Sequence, residues 1–448
     1  MNRLIAQLST LREDLSRKDP PDSPALRTER NIRVSTYHGI ASIMALNLAS
    51  PFVSIFAVKM GASNLQVGLL SSAPALMALL SMIPGGKYID RQKDKKRAVS
   101  LFILAQRLFY LLMAAVPFFS PDKRAWVLVL LAPLMNAPTS IANVGWQAFI
   151  SRVIPVERRA DAFAARNRLS NLTGTIVVLF AGRLIDMVGS PLGYQIAFAG
   201  AFVMTMLEIW VFGRIDDSCE IAVGEGTEAS GERTGMLKSI GRELREVFST
   251  GPFLRYTIGS ILFYLCWQAP WPLFTLYQVN VLKANNMWVS LLNLANTSGS
   301  LMGYGFWVRQ IHRHGNLKTL FFSSLWIFVV PLAYAMSKSL LTVAAFNLLT
   351  GAVFSGVNLA LLNTLLEVTP EKKKATYIAY YTTAVTSSAI VAPMVGVGLL
   401  NRLGFFWAFI SLAIMRFLGS FVFLLVNSIE KKLASRQAAS TSQVTSSI

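Results

Sequence analysis

An all-α membrane protein is the fold class this sequence predicts, with twelve transmembrane helices in two pseudo-symmetric six-helix bundles. Three observations predict it. Of the 448 residues, 53% are hydrophobic and only 15% are charged, with a mean hydropathy of +0.49. A soluble chain carries nearer 25% charge. Long apolar runs alternate with charged or turn-rich breaks, and a helical span needs about 20 apolar residues, so twelve would take about 240, just over half the chain. Finally, the two halves of the sequence can be laid on one another.

The predicted spans of the first half are 36–58, 66–86, 98–118, 125–150, 165–187 and 193–213. Those of the second are 254–279, 287–308, 317–337, 340–366, 376–400 and 405–427. The organisation that follows is a leader at 1–34, a first bundle at 35–213, a central connector at 214–252, a second bundle at 253–428 and a tail at 429–448. In the leader, Leu4, Leu8, Leu11 and Leu15 recur at helical spacing among charges, the pattern of an amphipathic helix on a membrane or protein surface, although a solvated leader fits as well. It has no apolar core with a small-residue cleavage site, so no secretory signal is expected. Met236 to Phe248, at the end of the connector, also reads as an amphipathic surface helix.

The net charge of +19 raises the question of a polyanionic partner. With the N-terminus inside, 33 Lys and Arg fall on the cytoplasmic side and 7 on the other. Basic residues in short loops are retained in the cytoplasm, so this bias places both termini inside a cell membrane and removes the need for nucleic acid. Membrane lipids are the surroundings, and a monomer is expected. Cys219 and Cys266 fall in different environments, so no disulfide is expected between them. No metal or cofactor is expected: His312 and His314 sit in a basic loop without further ligands. The absence of nucleotide-binding and nucleophile motifs argues against an enzyme or an ATP-driven pump.

The internal repeat carries the architecture. At an offset of 215, Asn143, Ser140, Pro155, Ala160 and Gly189 fall on Asn358, Ser355, Pro370, Ala375 and Gly404. Earlier in each half the offset is 222, where Asn64, Val67, Leu69, Leu70 and Arg91 fall on Asn286, Val289, Leu291, Leu292 and Arg313. Self-similarity at so long a period signals a duplicated unit, and parallel six-span repeats build one large class of carrier.

After the second span the sequence reads Gly86-Lys87-Tyr88-Ile89-Asp90-Arg91, then a basic cluster ending at Arg97. This resembles the loop signature of the major facilitator superfamily, over about residues 35–428, with His312-Arg313-His314-Gly315 as a degenerate second copy. Lys93 stands where the family usually has a second Gly. The resemblance implies a conformational switch at Gly86, Asp90, Arg91 and Arg97, with Asp90 near Ala375 to Tyr377 at the start of the eleventh helix. A carboxylate stabilises the positive end of a helix dipole, and Gly86 would allow close helix approach. The loop is common among exporters of the family, which favours efflux. The Arg and the proline-rich motif of its drug/proton antiporters are absent from spans 4 and 5.

In this fold spans 1, 4, 7 and 10 are expected to line the path, with the site near the midplane. Polar residues recur there at helical spacing. They include Asn47 and Ser54 on span 1, Asn136, Ser140, Asn143 and Gln147 on span 4, Gln268 and Trp271 on span 7, and Asn347 and Asn358 on span 10. Tyr377 and Tyr381 on span 11 complete the expected substrate-binding set. Helix-to-helix hydrogen bonding explains any single Asn equally well. Amides and rings without midplane charge suit a small neutral or zwitterionic solute. Arg107 and Glu208 lie at membrane depth and are expected to pair, either as a structural contact or as a proton relay. The function read from these features is a secondary carrier working by rocker-switch alternating access, driven by a solute, proton or other ion gradient. The alternative is a transport-dead membrane sensor on the same fold.

Overall fold

The computed structural model describes residues 23–92, 94–217, 247, 249–370 and 374–445. The expected leader helix, Cys219 and nearly all of the connector lie outside them. All regular structure in the described residues is helical. The chain divides into two compact units, one of Met1–Gln66, Leu76–Ala229 and Asn285–Ser290, the other of Val67–Ala75, Ser230–Ala284 and Leu291–Ile448.

In the first half, α1 runs Pro24–Ala49, α2 Val53–Lys59, α3 Asn64–Asp90, α4 Lys95–Ala114, α5 Pro121–Val153, α6 Val156–Val188 and α7 Leu192–Phe212. Helix α1 starts at Pro24, well before the predicted 36, because Pro fits the first helical turn, where its missing N–H is not needed. Pro51 sits in the 3₁₀ turn Ser50–Phe52 that joins α1 to α2. Two N-termini are fixed by side chains. Ser63 and Gln66 form a reciprocal capping box on α3, and Asp94 Oδ1 accepts from the Arg97 N–H (2.8 Å) at the start of α4. In the first unit α1 packs on α6 and α7, and α4 on α5 and α7. Val34, Val99, Phe149, Ile150 and Phe212 lie in its apolar core.

In the second half, α8 runs Gly251–Gln268, α9 Trp271–Leu276, α10 Asn286–His314, α11 Asn316–Leu325, α12 Val329–Met336 and α13 Leu340–Val368. Lys374–Thr445 forms α14, interrupted at Gly404, whose φ of 71° is non-helical. A residue with a Cβ is strained there, so glycine sets the break. In the second unit α8, α9, α11 and α12 all pack on α14. Helices α10 and α13 approach so closely that a Cβ on Gly299 would meet Leu348 O and one on Gly351 would meet Asn296 O. Ser300 Oγ then donates to Gly351 O at 3.0 Å and Trp307 Nε1 to Ala352 O at 2.7 Å.

Two rods of this unit are broken, and one side chain answers both breaks. Pro331 supplies no N–H to Ile327 O, and the turn at Ala269–Pro270 ends α8 before Trp267 O can be paired in the next turn. Arg416, 1% exposed, donates from Nη1 to Ile327 O (3.3 Å) and from Nη2 to Trp267 O. Buried carbonyls need such partners.

Among the described residues, nine helical stretches are long and apolar enough to cross a membrane, from Ala25–Lys59 to the 55-residue Thr376–Glu430.

Candidate functional site

The first unit presents its polar stripe on α5. Asn143 and Gln147 are exposed, and Asn136 and Ser140 are half-buried. Asn136 Nδ2 donates to Ala132 O (2.9 Å) and Ser140 Oγ to Asn136 O (2.9 Å), bonds that fold each side chain along its own helix. The same helix also exposes Trp126, Leu130 and Leu134. At 3.6 residues per turn these lie about 110° around the axis from the amide stripe. One helix therefore carries an apolar outer face and a separate polar face. On α1, Asn47 Nδ2 bonds to Ile43 O (3.1 Å), and a Cβ on Gly174 of α6 would come within 2.7 Å of that nitrogen. Asn47 is thus held in a helix crossing, while Ser54 is half-buried.

The second unit presents a different chemistry at the break between α8 and α9. Trp267 lies 5.4 Å from both Tyr264 and Phe354 and 6.4 Å from Trp271, centroid to centroid. Trp267 and Gln268 are buried, whereas Trp271 is 43% exposed. Trp267 Nε1 and Gln268 Oε1 have no hydrogen-bond partner in the structure. Such orphaned buried groups are costly, and here a donor and an acceptor lie close to an exposed ring. Opposite the break, Gly396 of α14 lies so close that a Cβ would meet Ala269 O. Sequence periodicity gave no sign of Gly396, because it opposes a backbone atom rather than a side chain.

Other residues of the expected set are placed differently. Tyr377 and Tyr381 are 4% and 6% exposed, inside the apolar core of the second unit. Tyr381 stacks on Tyr256 at 5.5 Å, and Tyr377 meets Phe253 edge-on and shares a 2.9 Å hydrogen bond with Thr250. Their apolar faces are already covered by rings, which sequence spacing could not show. Asn347 Nδ2 bonds to Val343 O at 3.1 Å, and Asn358 is exposed.

At the expected switch, Gly85 rather than Gly86 marks the close approach. A Cβ on Gly85 would lie 2.2 Å from Ile141 Cγ1, whereas one on Gly86 would meet Val144 at an ordinary 3.5 Å. Arg91 and Arg97 are exposed. The side chains of Asp90 and Ala375 lie outside the described ones.

Arg107 Nη2 stands 3.5 Å from Glu208 Oε2, and Arg107 Nη1 donates to Tyr110 OH at 3.2 Å. The structure adds His38, which sequence reasoning passed over, with Nε2 3.7 Å from Glu208 Oε1. A groove of about 460 Å³ opens on the second unit among Phe306, Trp307, Trp326, Val330, Phe346 and Val353. Its walls are almost wholly apolar, the wrong chemistry for a polar solute.

The family profile described as "Major Facilitator Superfamily" matches residues 39–304 and 256–447. The chain belongs to the Major Facilitator Superfamily. Its members are transporters, so this is a multi-pass membrane protein of a transporter family. Solved structures of the superfamily share the fold at low identity. The nucleoside transporter NupG matches with a TM-score of 0.66 at 11% identity, over 88% of this chain and 98% of that one. The xylose transporter XylE from E. coli, in an inward-open conformation, matches at 0.63 and 13%, over 88% and 95%. A protein of Deinococcus radiodurans named "Putative sugar efflux transporter" is 40% identical over 74 residues. That match covers 16% of this chain and 19% of the relative.

Proposed function

We propose that this superfamily member is a secondary carrier for a small neutral or zwitterionic polar solute, working by rocker-switch alternating access in the cell membrane. Twelve spans follow when α14 is divided at Gly404 and the α8–α9 pair and α10 are added to the nine apolar stretches. The repeat then sorts them into two bundles of six, with both termini cytoplasmic by the distribution of basic residues. The observation that carries the reading is the unpaired Trp267 Nε1 and Gln268 Oε1 at a helix break, beside the exposed ring of Trp271. Broken helices that line polar space are where carriers of this type hold solute.

Each unit taken by itself exposes amides able to hydrogen-bond, Asn143 and Gln147 on the first and Asn358 on the second, and lipid contact would leave them unpaired at a cost of a few kcal/mol each. Indole rings stack on the apolar faces of sugars and bases, while amides bond their hydroxyls. Sugars and nucleosides are therefore the first classes to test, and the partial likeness to a sugar exporter favours efflux. The test is counterflow of labelled sugars and nucleosides in proteoliposomes. At least one solute exchanges with the wild type, and Trp271→Ala abolishes that exchange. Leakage equal to empty vesicles for the whole panel, amino acids included, would remove the carrier reading.

A further inference from the structure

The first unit encloses a cluster of charge that the solute site does not use. Glu208 on α7 is 2% exposed and is faced from three helices. His38 comes from α1, Arg107 and Tyr110 from α4, and Arg166 from α6. Ser42 lies one turn beyond His38 on the same helix. Arg166 stacks over the Trp146 ring at 4.2 Å and donates from Nε to Ser35 O at 3.2 Å. Trp146 in turn lies nearly parallel to the His38 ring, 6.2 Å away.

We propose that Glu208 is the proton-binding site of this carrier, and that His38 is the acceptor that holds the protonated carboxyl. Neither guanidinium gives up its proton, and a third positive charge beside them would be repelled. His38 therefore serves as a neutral imidazole with one acceptor nitrogen, yet neither of its ring nitrogens has a hydrogen-bond partner. Glu208 Oε1 stands 3.7 Å from its Nε2. A proton arriving from water forms an O–H bond on Oε1, and that O–H points at a nitrogen with nothing else to accept. Closing the gap by about 1 Å makes an ordinary hydrogen bond.

The other carboxylate oxygen faces Arg107 at 3.5 Å. Ionised Glu208 is therefore attracted to α4, and protonated Glu208 is held by α1, the helix that also bears Asn47. One proton exchanges the partner of α7.

Size selects a proton over other ions or a solute, because the cluster is tightly filled: a Cβ on Gly39, beside His38, would lie 2.5 Å from Arg166 Nε. Intramembrane Glu and His are the groups from which proton pathways are built.

Proton binding can be read without a known solute, so it stands or falls separately from the carrier reading, on which only the coupling step rests. Infrared pH-difference spectra of the purified protein should show a carboxylic-acid carbonyl band that grows as pH falls from about 8 to 4. Glu208→Gln should lack that band. The chain has three histidines, and His312 and His314 are exposed, so nitrogen-15 labelling of the unmutated protein resolves His38 by magnetic resonance. Its Nε2 signal should shift in step with the band while the ring stays neutral. In proteoliposomes, Glu208→Gln should keep solute exchange and lose accumulation driven by a pH gradient. Identical carbonyl spectra of wild type and Glu208→Gln would overturn the proposal. So would a His38 signal indifferent to pH, or gradient-driven accumulation that survives Glu208→Gln.

Discussion

Asp186, near the end of α6, holds the first turn of α10 through Asn286. Its Oδ1 accepts from the Asn286 backbone N–H (3.0 Å) and from Nδ2 (2.8 Å), while Oδ2 accepts from the Met287 N–H (2.8 Å). Asn286 Oδ1 takes a 2.6 Å bond from Tyr194 OH, over whose ring Lys59 sits at 5.5 Å. Gly182 makes the approach feasible, because a Cβ there would meet Ser290 Oγ and Asn286 O. The carboxylate thus satisfies N–H groups that a helix start leaves open, at the end of the helix dipole that favours negative charge.

Replacing Asp186 by Ala removes three charge-assisted bonds at once. The expected loss is about 1–3 kcal/mol, with Asp186→Asn intermediate. Combined with Tyr194→Phe the losses should fall short of additive, since both residues act through Asn286. Thermal unfolding in detergent measures this, and a double mutant whose loss equals the sum would show the two contacts to be independent.

A pair of neighbouring glycines on α14 separates packing from composition. Gly396→Ala places a methyl against Ala269 O, a backbone atom that cannot swing aside, and should cost about 1–3 kcal/mol or more. Gly398→Ala meets nothing within 4 Å and should be neutral or slightly stabilising, as alanine favours a helix. Equal melting temperatures for the two variants would refute the close approach of α14 to the break.

The same logic applies at Gly85 and Gly86. Gly85→Ala collides with Ile141 and should lower the unfolding midpoint, whereas Gly86→Ala should not. The added change Ile141→Ala should recover part of the loss at Gly85 by vacating the contact. No recovery would mean that the backbone, not Ile141, sets the limit.

Substitutions at the rings sort solute contacts from packing. Trp271→Ala should abolish counterflow and Trp271→Phe only reduce it, because stacking area is partly retained. Tyr381→Phe keeps the ring packed on Tyr256 and should leave counterflow within about twofold. A Tyr381→Phe variant as impaired as Trp271→Ala would return Tyr381 to the solute site.

Much of the fold was legible because a membrane span is written in composition: α3, α4, α5 and α7 overlap the runs read from hydropathy. Periodicity also showed that Asn136, Ser140, Asn143 and Gln147 share a face. It could not say what stands opposite a face, such as the rings of Phe253 and Tyr256 that pack on Tyr377 and Tyr381. His38 was overlooked because a single histidine in an apolar helix has no spacing to reveal its partner on α7, some 170 residues later. Asp186 was hidden similarly, since its partners are backbone N–H groups, which every sequence contains.

Arg416→Lys tests the double carbonyl contact. An ammonium is a point charge without the guanidinium's fork, so it serves one of Trp267 O and Ile327 O well and leaves the other wanting. The expected cost is about 1–3 kcal/mol. Unchanged unfolding would show that water or relaxation supplies the second partner.

The fork of Arg416 works as a rivet through two fractured beams. The crack after Trp267 and the crack at Ile327 are pinned to the same point on α14, so neither can hinge without dragging the other. Prolines that would ordinarily give a helix a joint are here welded into a rigid frame, and the orphaned edge at Trp267 and Gln268 keeps its shape while the aromatic side chains around it adjust.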